Sequence, residues 1–568
     1  MPAGRASFEV QVQRSGTWMT EEIREAEVQA KTVMQSLISL GRHEGVRLVK
    51  CWERADGTIS ETVLQTEMLS RDSGRVTIVS IDDAPPCKKI ADYYGYNSRA
   101  TINRLFRKYI EKVFLTPTEM LHSHKAMQRI QEVDTLFVPG VDRVASLQAK
   151  AAGEDARARK EEIYKAVDRI TMRARKAEEN AKLPAIKDDD FDRLLDRLGK
   201  LVSPEEVGFY ALVALSRDLM ERRNWLGKLD RLTKLIVLAH DSRAVDLLDG
   251  VLADLLGVPT ALQDVLGAQK DLAHALCAIA DLIDGKFAAE MSDAREQITA
   301  LGPRIAEGGL TETKQSLLDR LIRQVAGGQP LCRTDPAQER DSFRAVALRM
   351  LRGDGLLGGA EMAEALTRRF VLLQEAGGKK GLQDSVAGVV STVPDALFRT
   401  IYLVSLAESG LAEELAEVIK SALARLVGGA DISGLAPAEM PVRDRLMQVT
   451  RIFDFIACAQ GLNESERKLL CDKLDAALVG FLARGRIIER LDDPAASLRD
   501  RATRLLEFCA ARLLPPKSKA LQLARERVVD LLRQPNFELK FVEGISDAGR
   551  REEILRGLHS LLARSGFG

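Results

Sequence analysis

At 568 residues, 45 % apolar and 29 % charged, the chain is too long for one ordinary core and too apolar to be disordered. Lys+Arg and Asp+Glu are both 83, so no chain-wide field steers it to nucleic acid or a membrane, and any such attraction must come from a local patch. Aromatics make up only 5 % beside abundant Leu and Ala, a mixture that favours helix over sheet.

Residues 1–84 read as a small α/β domain. Phe8, Val10 and Val12 alternate with polar residues, the pattern of a strand with one buried face. A helix is predicted from about Thr20, with Ile23, Ala26, Ala30, Val33, Met34, Leu37 and Ile38 on one side and Gly41 as its stop. Runs from Val46 to Arg54 and from Thr58 to Glu67 flank Asp56-Gly57, a hairpin signal because both turn residues accept positive φ. Arg75 to Ile81 reads as a further strand, which gives a β-α-β-β-β order. Trp18, His43 and Trp52 are expected to be packing or surface residues. The unit lacks a paired acid/base set, so it reads as a docking or sensing module.

Residues 85–140 form a basic helical junction, and 141–190 a long charged helix with a linker. On that helix Ile163, Val167, Ile170, Ala174, Ala177 and Ala181 recur at a spacing near 3.5, which offers a seam for a homo-oligomer. From Phe191 onward about fifteen amphipathic helices are predicted as an α-solenoid-like array of no fixed period, with a candidate division near 330–380. Two helix starts stand out. Ser203-Pro204-Glu205-Glu206 and Asn463 with Glu466 both have the capping-box pattern. After Asn463, Leu470, Cys471, Leu474, Ala477, Leu478, Phe481 and Leu482 share one face. The fold class is therefore mainly α behind a small α/β unit.

Little in the sequence speaks for catalysis. His122 and His124 stand two apart and would not share a helix face, a poor metal pair. His240-Asp241-Ser242 holds three triad residue types without triad geometry. Gly377-Gly378-Lys379-Lys380-Gly381 lacks the spacing of a phosphate loop. Cys458 and Cys471 fall on apolar helix faces and read as small core residues. The seven cysteines are scattered and unpaired in sequence, which suggests reduced thiols in a cytoplasmic protein without a zinc module. Neither a secretory h-region nor a membrane span is expected. No catalytic residue, cofactor or metal ligand is assigned.

Pro86 to Leu121 is the one stretch that suggests a specific activity. From Pro85 to Ile130 nine basic residues (Lys88, Lys89, Arg99, Arg104, Arg107, Lys108, Lys112, Lys125 and Arg129) face three acids. Gly95 separates two short helical patterns. The second, Ser98 to Tyr109, carries Ile102, Leu105, Phe106 and Tyr109 on one face, so Arg99, Asn103, Arg107 and Lys108 are expected to point outward. Ile90-Ala91, Gly95-Tyr96, Ser98, Arg104, Phe106-Arg107-Lys108 and Thr116-Pro117 resemble the second helix-turn-helix of AraC-type transcription regulators. That resemblance, over residues 90–117, implies that Arg99, Asn103, Arg104, Arg107 and Lys108 meet DNA in the major groove. Thr116-Pro117-Thr118-Glu119 also reads simply as a capping box with Pro at the first helical position. Three functions stay open. One is a non-enzymatic regulatory or scaffold protein that offers its helical array to protein partners. A second is a DNA-binding regulator that uses residues 87–109. The last is an enzyme with a site assembled from distant residues.

Overall fold

The computed structural model describes residues 5–14, 17–40, 45–53, 59–68, 76–180, 182–290, 292–333, 335–374, 378–429 and 431–567. The chain forms two compact units, residues 1–78 with 134–136, and residues 79–133 with 137–568.

In the first unit, β1 (Arg5–Arg14), β2 (Thr17–Arg24), β3 (Gly45–Glu53) and β4 (Ile59–Met68) form an antiparallel sheet in the order β2-β1-β3-β4. Helix α1 (Glu27–Leu40) covers one face, where Phe8, Val10, Val12, Val46 and Leu48 meet Ala30 and Met34. The alternation in β1 is thus that of a half-buried strand. The unit holds the expected four strands and one helix, but the order is β-β-α-β-β. Thr20 and Ile23 lie in β2 rather than in the helix, paired with Gln11 and Glu9 of β1. Aromatic and β-branched residues at 17, 18, 20 and 23 favour this second strand, and the helix waits until Glu27. Val76 to Ile81 is not a strand. The Asp56-Gly57 turn and His43 lie outside the described residues, although β3 and β4 on either side of that turn do pair. Arg47 stacks over the Trp18 ring at 4.5 Å, and Trp52 is exposed with Lys50 5.7 Å from its ring.

The second unit opens with α2 (Ile90–Tyr94), α3 (Tyr96–Leu105), α4 (Arg107–Val113), α5 (Pro117–His122), α6 (His124–Gln131), α7 (Phe137–Ala152) and α8 (Ala156–Glu178). The predicted single helix over 141–182 is instead the hairpin α7–α8. Gly153 turns the chain at φ +69, and Asp155 caps α8 by accepting from Ala158 N at 2.8 Å. Its seam does not await a second copy. Ile163, Ile170, Ala174 and Ala177 are already buried within this chain, where α8 packs on α5, α6, α7 and α10. Ala181 lies outside the described residues.

Next come α9 (Phe191–Gly199), α10 (Val207–Met220), α11 (Trp225–Leu238), α12 (Ser242–Gly257), α13 (Pro259–Leu266), α14 (Leu272–Ile283), α15 (Arg295–Ala306) and α16 (Thr311–Ala326). Twenty α-helices are described after residue 190. That exceeds the expected fifteen because pieces as short as Ile487–Leu491 and Phe537–Phe541 are helical. A spine of contacts runs from α12 to α16, Gly359–Leu373, Ala396–Ala407, Val442–Cys458, Glu464–Arg484 and Lys519–Leu532. Each helix meets the next along a line, as in solenoids, and the packing passes through 330–380 without a gap. Asn463 and Glu466 form the predicted capping box, and Leu470, Leu474, Ala477, Leu478 and Leu482 are buried. Ser203 instead accepts from Glu206 N in a turn, and α10 begins at Val207.

Candidate functional site

Gly95 ends α2 and opens α3, its amide bonded to Asp92 O at 3.1 Å. The Asp92 carboxylate accepts from the amides of Lys88 and Lys89, which fixes the start of α2. On α3, Arg99 and Asn103 stand one turn apart and so share a face. That face does not meet solvent. Both residues are 5 % exposed and lie against α12, where Gly250, Asp254 and Gly257 form a matching row. A Cβ on Gly250 would sit 2.9 Å from Arg99 Nη1, and one on Gly257 would sit 2.7 Å from Asn103 Nδ2. Only glycine at these two positions lets the polar side chains reach the α12 backbone.

The bonds are specific. Arg99 Nη1 donates to Gly250 O at 2.9 Å and lies 3.4 Å from Asp254 Oδ1, while Nη2 pairs with Glu312 at the start of α16. Asn103 Nδ2 donates to Asp254 O at 2.8 Å. The Asp254 carboxylate also accepts from Thr118 N at 2.9 Å and Thr118 Oγ1 at 2.6 Å. Burial pushes the Asp254 and Glu312 carboxyls up, with Arg99 pulling each back down. Burial likewise opposes the Arg99 charge, but Asp254 and Glu312 outweigh it and hold the guanidinium above its ordinary value. The cluster pins α3 and α5 to α12 and α16.

The other predicted residues divide. Arg104 forks onto Asp83, at 2.6 and 3.1 Å, and this holds the Asp83 carboxyl below its usual range. Arg107 and Lys108 are exposed, on α4 rather than α3, since the helix breaks at Phe106. The outward basic face expected from Arg99 to Lys108 is therefore corrected for Arg99 and Asn103. In this arrangement α3 cannot enter a groove of DNA. It lies between two layers, with its apolar side on α5 to α8 and its polar side on α12 and α16.

Beside it, Thr116 caps α5 as the sequence implied, and Glu119 returns the bond to Thr116 N at 2.8 Å. Glu119 also pairs with Lys228 of α11, and neither side chain reaches solvent. Burial favours the neutral form of each, raising the Glu119 carboxyl and lowering the Lys228 amine, while each partner's charge works against that shift.

His122 is buried between the rings of Tyr94 and Phe209, and its Nδ1–H donates to Thr118 O at 2.8 Å. Burial lowers its pKa to about 4, against a reference of 6.5. Between those values the unfolded chain binds the extra proton, so stability is lost as pH falls through that window. The loss through this group is expected to reach about 3 kcal/mol near pH 4. Urea unfolding of wild type and His122→Asn between pH 7 and pH 4 checks this. A wild-type slope equal to that of the variant would refute it.

The remaining motifs take the following places in the fold. Asp241 caps α12 through Arg243 N, and His240 N donates to Asp192, so that triad-like run is a helix start. Lys379 and Lys380 are exposed near the start of the helix Gly378–Thr392, and Gly377 lies outside the described residues. Cys458 is exposed and Cys471 half-buried, which corrects their reading as core residues. Among the described residues no His, Cys, Asp and Glu group could hold a metal ion, and no helix is long and apolar enough to cross a membrane.

A basic groove of about 900 Å³ opens where the α4–α5 turn, α6, the end of α8 and the end of α10 meet. Lys125, Arg129, Arg217, Arg222 and Arg223 line it, against Glu178 and Glu179, with Phe114, Leu115 and Met220 among its apolar lining. Glu179 has its own cation, while Glu178 keeps its charge beside the groove. Glu178 accepts from His124 N at 3.0 Å, and Glu179 pairs with Arg175. Arg222 is held by Asp218 at 2.6 Å. Among the described residues, Lys125, Arg129, Arg217 and Arg223 have no side-chain partner. The sequence marked Lys125 and Arg129 as part of a basic stretch. It gave no reason to join them to Arg217 and Arg223, because only packing brings α6 beside α10's end.

Comparison of the chain with protein-family models, curated proteins and solved structures gives no match.

Proposed function

We propose that the protein is a non-enzymatic scaffold whose helical array binds protein partners, and that the basic groove receives an acidic segment of one of them. The observation that carries this reading is four exposed, unpartnered cations gathered around apolar side chains in a chain of zero net charge. Such a groove attracts carboxylates by charge and covers the aliphatic or aromatic residues between them. The N-terminal sheet, with edge strands β2 and β4, serves as a second docking or sensing module. Of the five residues that the resemblance places on DNA, the regulator reading now rests on the exposed Arg107 and Lys108, and it ranks second.

Fluorescence anisotropy with a labelled Asp/Glu-rich peptide containing phenylalanine, and with a duplex DNA of similar charge, separates the two. The peptide is expected to bind more tightly as salt is lowered. Arg129→Glu/Arg217→Glu is expected to weaken it by roughly tenfold or more. Peptide binding that ignores both charge reversals, or duplex binding in preference to peptide, would overturn the proposal.

A further inference from the structure

On the α3 face that carries Ile102 and Leu105, the packing leaves a partly open pocket of about 110 Å³. Its wall is built from Pro85, from Cys87, from Tyr93 of α2, and from α3, α5, α6, α7 and α8, all within the second unit, and it includes no charged side chain. Two of its polar members are committed. Thr101 donates to Asn97 O at 2.8 Å, and Gln148 bridges Pro85 O and the Arg159 guanidinium. The Phe106 ring forms part of the wall. A Cβ on Gly140 of α7 would lie 2.8 Å from that ring, so the glycine is what lets it lie there.

We propose that this cavity is a binding site for a small, uncharged hydrophobic molecule about one ring in size. Side chains around an unfilled apolar space of this size lack packing partners on one side. Water gains little there, since the lining is mostly apolar and a bound water needs several polar partners, whereas apolar spaces of comparable size accept a benzene-sized guest. The lining atoms recover their missing dispersion contacts only when an apolar guest fills the space. Met120 and Met127 sit in the wall, and their unbranched side chains adapt to the shape of a guest. Pro85 is exposed and Tyr93, Ser98 and Phe137 are half-buried, so a guest can reach the pocket from solvent. The site is independent of the basic groove.

The test uses the full-length protein with toluene, cyclohexane and benzoate as probes in titration calorimetry, and xenon-pressurised crystals as a direct view of the cavity. Toluene and cyclohexane are expected to bind saturably, benzoate to fail, and xenon to appear between α3 and α7. Ile163→Phe, which fills the cavity, should weaken toluene by tenfold or more. Val141→Leu fills it more gently and should weaken toluene less, which keeps the test open if the larger residue prevents folding. Equal binding of benzoate, toluene affinity unchanged in both variants, or a cavity empty of xenon would each overturn the site.

Discussion

Replacing Lys228 by methionine is expected to destabilise the second unit by about 3–5 kcal/mol, because it leaves the Glu119 carboxylate buried without its counter-charge. Neither Lys228 nor Glu119 is more than 1 % exposed, so water cannot take the place of the missing partner. Methionine matches the aliphatic stem of lysine in length, so little packing is lost and the cost is mainly electrostatic. The double variant Lys228→Met/Glu119→Gln is expected to recover most of the loss. Glutamine is neutral and its carbonyl oxygen still accepts from Thr116 N, which preserves the cap on α5. The readout is urea unfolding followed by Trp225, the one tryptophan of the second unit, which is 2 % exposed. A single-variant cost below about 1 kcal/mol would mean that the pair is neutral in the native state, and the double-mutant cycle would then show no coupling.

Lys228 also shows how far the sequence could be read. It falls three residues after Trp225 and four before Leu232, squarely on the apolar face of α11. A charge in that place is a written signal of a buried partner, though nothing local names Glu119. Local chemistry was legible wherever it acts over a few residues. Thr116 with Glu119, Asn463 with Glu466, the alternation of β1 and the strands flanking Asp56-Gly57 all required no knowledge of distant chain. The mainly α fold behind a small α/β unit followed from the same periodicities. Tertiary choices were not legible. The stripe on α8 has the spacing of a coiled coil, and the sequence cannot say that α5, α6, α7 and α10 occupy it first. Arg99 and Asn103 looked solvated because a polar helix face usually is. Their burial depends on Gly250 and Gly257, some 150 residues away, which make room for them on α12. The basic groove was half visible for the same reason, with Lys125 and Arg129 read and Arg217 and Arg223 missed.

Arg99→Leu is expected to cost about 3–5 kcal/mol at neutral pH, with a pH dependence that identifies its cause. The substitution removes the donor to Gly250 O and leaves Asp254 and Glu312 facing the same gap. Asp254 bears most of the effect, since its side chain is 3 % exposed while that of Glu312 is 39 % exposed and can turn to water. Arg99 is the charge that pulls the Asp254 carboxyl down against burial, so without it the folded-state pKa rises further. A carboxyl whose pKa is higher folded than unfolded binds more protons in the native state, and its penalty grows as pH rises through the folded value. The difference between variant and wild type should therefore shrink as pH is lowered from 7 toward the ordinary aspartate range. Arg99 also helps to lower the His122 pKa, so both proteins are compared on a His122→Asn background, which leaves Asp254 and Glu312 as the titrating groups beside Arg99. Arg99→Leu/Asp254→Asn should flatten the pH dependence, because asparagine carries no charge while its carbonyl still accepts from Thr118. If the cost of Arg99→Leu is independent of pH, lost packing is its origin and the ionic account of this cluster fails. If the cost falls with acid and Asp254→Asn removes that fall, the polar face of α3 is a charge-locked joint between α12 and α16, and its arginine has a structural task that leaves it unable to read DNA.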